Sequence, residues 1–217
     1  MMNGFIIIGG CLLLLGLLYH EKRKKQKSIV INKTILSLLF VITAFLQPHG
    51  IPTYYHYLLV GLIFCLIGDV CLALPGEKIF KAGLVAFLIG HVFYIFSFLT
   101  LTRISQWVSP GGLISLGISA WVFFWLRPYL QSMFGPVLIY ILVITVMLCG
   151  AWGVFWQSPF PISGRALLFI GALCFYLSDI FVARDKFLKE EFRNRLIGLP
   201  LYYAGQFLLA FSIGFLG

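Results

Sequence analysis

Apolar residues run along this chain in long, nearly unbroken blocks, and the short alternating segments of a β-barrel do not occur. A helix needs roughly 20 apolar residues to cross a hydrocarbon core about 30 Å thick, and eight of the blocks approach that length. They predict eight helices, roughly residues 3–19, 30–47, 55–74, 79–101, 111–126, 134–157, 164–184 and 195–216. The breaks carry turn chemistry: Gln47-Pro48-His49-Gly50, Pro75-Gly76, Ser109-Pro110-Gly111-Gly112, Arg127-Pro128 and Ser158-Pro159-Phe160-Pro161. The fifth block is the shortest and begins Gly-rich.

Composition turns this pattern into a class. Of the 217 residues 61% are apolar and only 11% charged, against about 45–50% and about 25% in soluble domains. A soluble globular fold and intrinsic disorder are both excluded. Eight spans use the whole chain, so the expectation is an all-α integral membrane bundle forming one polytopic domain over 1–217. In lipid, continuous apolar segments satisfy their backbone only as helices.

Charge placement supports the count. Of 16 Lys and Arg, only Arg103 and Arg165 fall on one side of the predicted membrane, so the other side is cytoplasmic and both termini face away from it. The net charge of +9 sits where anionic headgroups would meet it and calls for no nucleic acid. The first block lacks a basic leader and a small-residue cleavage site, and Glu21-Lys22-Arg23-Lys24-Lys25-Gln26-Lys27 follows it, so it reads as a retained span. The short loops point to a bacterial inner membrane. Cys11, Cys65, Cys71, Cys149 and Cys174 form no C-x-x-C and read as small apolar packers, with no metal or other cofactor implied. No lysine is expected inside a span, which would exclude a retinal Schiff base.

Candidate chemistry rests on two of the seven acidic residues, Asp69 and Asp179. Each lies inside a predicted span near its cytoplasmic end, where an ionisable group costs roughly 2.5–3.5 kcal/mol to insert. Gly68-Asp69 and Ser178-Asp179 occupy equivalent places in helices 3 and 7, which run in the same direction. The helix after each carries unusual polar groups: His91 with Tyr94, and Tyr202-Tyr203 with Gln206. His91 and Tyr94 are spaced i,i+3, Tyr202 and Gln206 i,i+4, and Tyr203 and Gln206 i,i+3, so a hydroxyl and an amide share a face. Helices 3–4 therefore resemble helices 7–8 as a parallel repeat. Two carboxyls in one apolar pocket supply an acid and a base, which suits hydrolysis through an oxocarbenium-like state. On residues alone, a small proton-coupled transporter and a non-enzymatic lipid-binding scaffold remain open.

Gly68 to Leu72 followed by Phe80 to Phe98, Gly171 to Phe187, and Leu199 to Ser212 resemble three signatures of the YhhN/TMEM86 family, the lysoplasmalogenases. Val182-Ala183 and Gly205 are conservative departures from those signatures. The resemblance implies an eight-helix membrane hydrolase that cleaves the vinyl ether bond of a lysophospholipid among membrane lipids. It would release a fatty aldehyde and glycerophosphoethanolamine or glycerophosphocholine. Asp69 and Asp179 would be catalytic, and His91, Tyr94, Tyr202, Tyr203, Gln206 and Ser178 would bind and orient the substrate. Arg184, Arg193, Arg195 and Lys78 would meet the headgroup phosphate.

Overall fold

The computed structural model describes residues 2–217 and consists of helices joined by short connections. In chain order they are α1 (Met2–Lys22), α2 (Gln26–Leu46), α3 (Pro52–Ala73), α4 (Glu77–Leu99), α5 (Pro110–Leu126), α6 (Phe134–Gln157), α7 (Ile162–Ala183) and α8 (Phe192–Leu216). All but α5 are long and apolar enough to cross a membrane by length and composition, and α5 falls just short at 17 residues. Among the described residues there is no strand.

The ends of the helices follow from local sequence. Pro52 and Pro110 sit in the first turns of α3 and α5, where the missing N–H costs nothing. The Ser109 hydroxyl caps α5 by accepting from the Gly112 N–H at 3.1 Å. Gly76 turns the chain between α3 and α4 at φ +120°, a conformation closed to most side chains. Beyond its predicted end, α7 continues as a π-helical turn, Arg184–Leu188, and α8 starts three residues earlier than expected.

Packing is tightest between α3 and α4 and between α7 and α8. Each pair crosses at facing glycines. A Cβ on Gly61 would lie 2.9 Å from the Gly90 carbonyl oxygen, and one on Gly171 would lie 2.9 Å from that of Gly205. Small residues allow this approach where lipid supplies no hydrophobic drive for helix association. The two pairs match in register. Asp69 and Asp179 each follow the first glycine by two turns, His91 and Gln206 each follow the second, and Phe87 and Tyr202 each precede it by three residues. The parallel repeat seen in the sequence is thus a repeat of helix crossings. Around this centre α1 packs on α2 and α8, α4 packs on α6, and α5 packs chiefly on α6 with Leu113, Ile114, Leu116, Trp121 and Phe124 turned outward.

One expectation about the spans fails. Lys33 lies within α2, about two turns from its start, and is 8% exposed. Helix packing buries it because its ammonium meets the Asp69 carboxylate, 3.8 Å away.

Candidate active site

A cavity of about 800 Å³ opens at the end of the bundle where α1, α3, α5 and α7 finish. All eight helices line it, through residues such as Glu21, Lys33, Asp69, Phe87, Val122, Tyr140, Asp179 and Tyr202. Both intramembrane aspartates therefore face one space.

Asp69 sits four residues before the end of α3 and is 2% exposed. Its Oδ2 accepts hydrogen bonds from the Ser37 hydroxyl and the Tyr202 hydroxyl, each at 2.6 Å. Its Oδ1 faces Lys33. Lys33 and Ser37 are i,i+4 on α2, so one helix face presents an ammonium and a hydroxyl to the same carboxylate. The Tyr202 hydroxyl also accepts from Gln206 Nε2 at 3.2 Å, and Gln206 Oε1 accepts from the Tyr94 hydroxyl at 2.7 Å. A continuous hydrogen-bonded chain thus runs Tyr94–Gln206–Tyr202–Asp69–Ser37. Tyr203 joins at its edge, with its hydroxyl 3.4 Å from Ser37 Oγ.

Asp179, four residues before the end of α7, is held differently. Its Oδ2 accepts one hydrogen bond, from the Tyr140 hydroxyl of α6 at 2.6 Å. Among the described residues no cation lies within salt-bridge distance of it. A charge in an apolar cavity is costly without a partner, so the two carboxyls differ in how much charge their surroundings can compensate.

Nearer the mouth, Arg195 bridges two carboxylates: Nη1 lies 2.8 Å from Glu21 Oε2, and Nη2 lies 3.1 Å from Asp185 Oδ2. Asp185 also accepts from the Glu191 N–H and from Asn194 Nδ2. In the outer loop the hydrogen bond from Lys189 holds the Glu191 carboxyl below the usual carboxylate range.

Of the residues singled out from sequence, Asp69, Asp179, Tyr202 and Arg195 line the cavity. Tyr94, Gln206 and Tyr203 stand behind them through hydrogen bonds. Ser178 donates to the Phe175 carbonyl of its own helix. His91 is wholly buried among Phe175, Tyr140 and Tyr94, with neither ring nitrogen hydrogen-bonded. Arg184 pairs with Glu191, while Arg193 and Lys78 are exposed away from the cavity lining. Sequence reasoning missed Lys33, Ser37, Tyr140 and Glu21. A lysine seven residues into an apolar helix was the one clear signal among these. Among the described residues, no three His, Cys, Asp or Glu side chains gather in a way that could hold a metal ion.

Membrane-length helices enclosing a cavity lined by two intramembrane carboxyls, Asp69 buried and Asp179 half-buried, define a multi-pass integral membrane protein whose site is built inside the bundle. The chain belongs to the YhhN family, whose model matches residues 28–213. It is 28% identical over 186 residues to a bovine (Bos taurus) protein named lysoplasmalogenase TMEM86A, covering 80% of this chain and 74% of that one. It is 33% identical over 181 residues to the mouse (Mus musculus) lysoplasmalogenase TMEM86B, covering 82% and 71%. A lysoplasmalogenase of Mycobacterium tuberculosis is 27% identical over 176 residues, covering 77% and 63%. No solved structure matches the chain.

Proposed function

We propose that this chain is a lysoplasmalogenase that hydrolyses the vinyl ether of a 1-alkenyl lysophospholipid by acid/base catalysis between Asp179 and Asp69. The observation that carries the reading is the meeting of the two carboxyls on one cavity with unequal partners. Asp69, with two hydroxyl donors and an ammonium, is compensated as a carboxylate and serves as base. Asp179, with one donor and no cation, is neutral when it carries its proton and serves as acid.

Vinyl ether hydrolysis needs those two roles. Asp179 gives its proton to the alkene carbon distal to the ether oxygen, and the resulting oxocarbenium ion is stabilised by the Asp69 carboxylate across the cavity. Water adds to the carbon bearing oxygen and passes its proton to Asp69, forming a hemiacetal. Asp69 then returns that proton to the glycerol oxygen as the C–O bond breaks, and Asp179 takes the hemiacetal hydroxyl proton. The products are a fatty aldehyde and the glycerophospho alcohol, and both carboxyls regain their starting states. Tyr202 and Tyr140 fix the carboxyl orientations, and Gln206 and Tyr94 fix Tyr202. The phosphate lies against Lys33 and Arg195, and the alkenyl chain against the apolar wall that includes Phe87, Val122 and Ile144. The mouth opens at the end that gathers most of the Lys and Arg, which supports placing it at the cytoplasmic face of a bacterial inner membrane with both termini opposite.

The test is aldehyde release from lysoplasmalogens by purified protein in detergent, with Asp69→Asn and Asp179→Asn alongside. Aldehyde from the parent protein, and at least a hundredfold less from each well-folded variant, is the expected result. A stable, monodisperse parent protein that releases none from either headgroup form overturns the reading.

A further inference from the structure

Glu21 is the last acidic residue before the first loop, yet it is 7% exposed and lines the same cavity as the two aspartates. Its Oε2 is held by Arg195, while its Oε1 is enclosed with no hydrogen-bond partner. A buried carboxylate oxygen without a donor is an expensive arrangement unless a donor arrives with a ligand. The charge count points the same way. Arg195 is shared between Glu21 and Asp185, so the three groups together keep one negative charge in excess.

Depth orders the cavity. At about 1.5 Å per residue, Lys33 lies some 10 Å inside the first residue of α2, whereas Glu21 is one residue from the end of α1. A lysophospholipid with its vinyl ether at Asp69 and Asp179 has its phosphate next outward and its headgroup nitrogen outermost. Lys33 pairs with Asp69 at the depth of the aspartates, and Glu21 lies outward of both, on the side the headgroup takes.

We propose that Glu21 binds the headgroup ammonium and selects a primary ammonium over a trimethylammonium, so that the preferred substrate is the ethanolamine form. This rests on the lysoplasmalogenase reading above. A primary ammonium has three N–H donors, one of which satisfies Oε1 after a small turn of the carboxylate. A trimethylammonium has none and leaves the oxygen unpaired in a smaller space. Rejection through an unpaired buried polar group is the strong form of specificity.

The experiment compares kcat/KM for ethanolamine and choline lysoplasmalogens in the parent protein and in Glu21→Gln. A hydrogen bond to a charged group corresponds to about tenfold to a hundredfold in kcat/KM. The parent protein should favour ethanolamine by that factor. Glu21→Gln, which keeps an oxygen for Arg195, should lose most of the preference by falling about tenfold or more further on ethanolamine than on choline. Thermal unfolding of the two proteins in the same detergent reports folding. Glycerophosphoethanolamine should also inhibit the parent protein more strongly than glycerophosphocholine. Equal rates and equal inhibition in the parent protein, or a Glu21→Gln effect of the same size on both substrates, overturn the inference while leaving the hydrolase reading intact. No aldehyde from the parent protein on either substrate overturns both.

Discussion

The pair between Lys33 and Asp69 can be tested quantitatively. Lys33→Met keeps the length of the side chain and removes its charge. At 3.8 Å, with an effective dielectric of about 20, the Coulomb attraction is about 4 kcal/mol before desolvation. Removing one partner of a buried pair usually costs about 3–5 kcal/mol, because the other charge is left behind. Here Asp69 keeps its hydrogen bonds from Ser37 and Tyr202. The expected loss is therefore lower, about 2–3 kcal/mol, or a fall in Tm of roughly 5–10 °C for a chain of this size. Adding Asp69→Asn removes the stranded charge while keeping an acceptor for both hydroxyls, and should restore at least about 1.5 kcal/mol. Thermal unfolding of the parent protein, both single variants and the double variant in one detergent closes the cycle. A coupling below about 0.5 kcal/mol, or a double variant no more stable than Lys33→Met, refutes the argument that Lys33 compensates a buried carboxylate.

Tyr140→Phe removes the one hydrogen bond to Asp179 and should lower kcat about tenfold to a hundredfold with Tm little changed, read by aldehyde release and thermal unfolding together. Gly61→Ala and Gly171→Ala force a Cβ to 2.9 Å from the opposite carbonyl and should each cost about 1–3 kcal/mol. Gly117→Ala, where nothing lies within 4 Å, should be neutral or raise Tm slightly, and equal behaviour of the three variants would contradict the crossing geometry. His91→Phe replaces two unpaired nitrogens with a ring that suits Phe175 and Tyr140, so Tm should rise by a few degrees, corresponding to about 1 kcal/mol. A clear fall would show that the imidazole has a polar partner in solution.

The helices were legible because Pro, Gly and capping residues interrupt the apolar runs, and a span has only one length to satisfy. Asp69 and Asp179 were legible for the complementary reason, since a carboxylate at membrane depth has few explanations. Tyr202 and Gln206 were within reach because their contact is local, one helical turn apart. What escaped was set by helix rotation and long-range packing. Ser37 on α2 and Tyr140 on α6 look unremarkable in their own segments, and only the bundle brings each to an aspartate. Glu21 lies at a helix end, where long charged side chains commonly reach for water, so hydropathy does not separate a buried end from a snorkelling one, whereas Lys33, two turns into α2, stands out in its own segment. Among the cations expected at the headgroup, Arg195 reaches the cavity because it is in the first turns of α8 facing Glu21, whereas Lys78 and Arg193 point outward.

The repeated hairpin poses a problem that its own irregularity resolves. Two identical copies would set identical acids opposite each other, competing for the same proton with nothing to break the tie. In this chain the position three residues before the second glycine is Phe87 in one copy and Tyr202 in the other, so only Asp69 receives a hydroxyl from the opposing hairpin. In the hydrolysis proposed above, directionality rests on the difference between the halves: the twofold scaffold supplies the meeting point, and its departure from symmetry separates proton donor from acceptor.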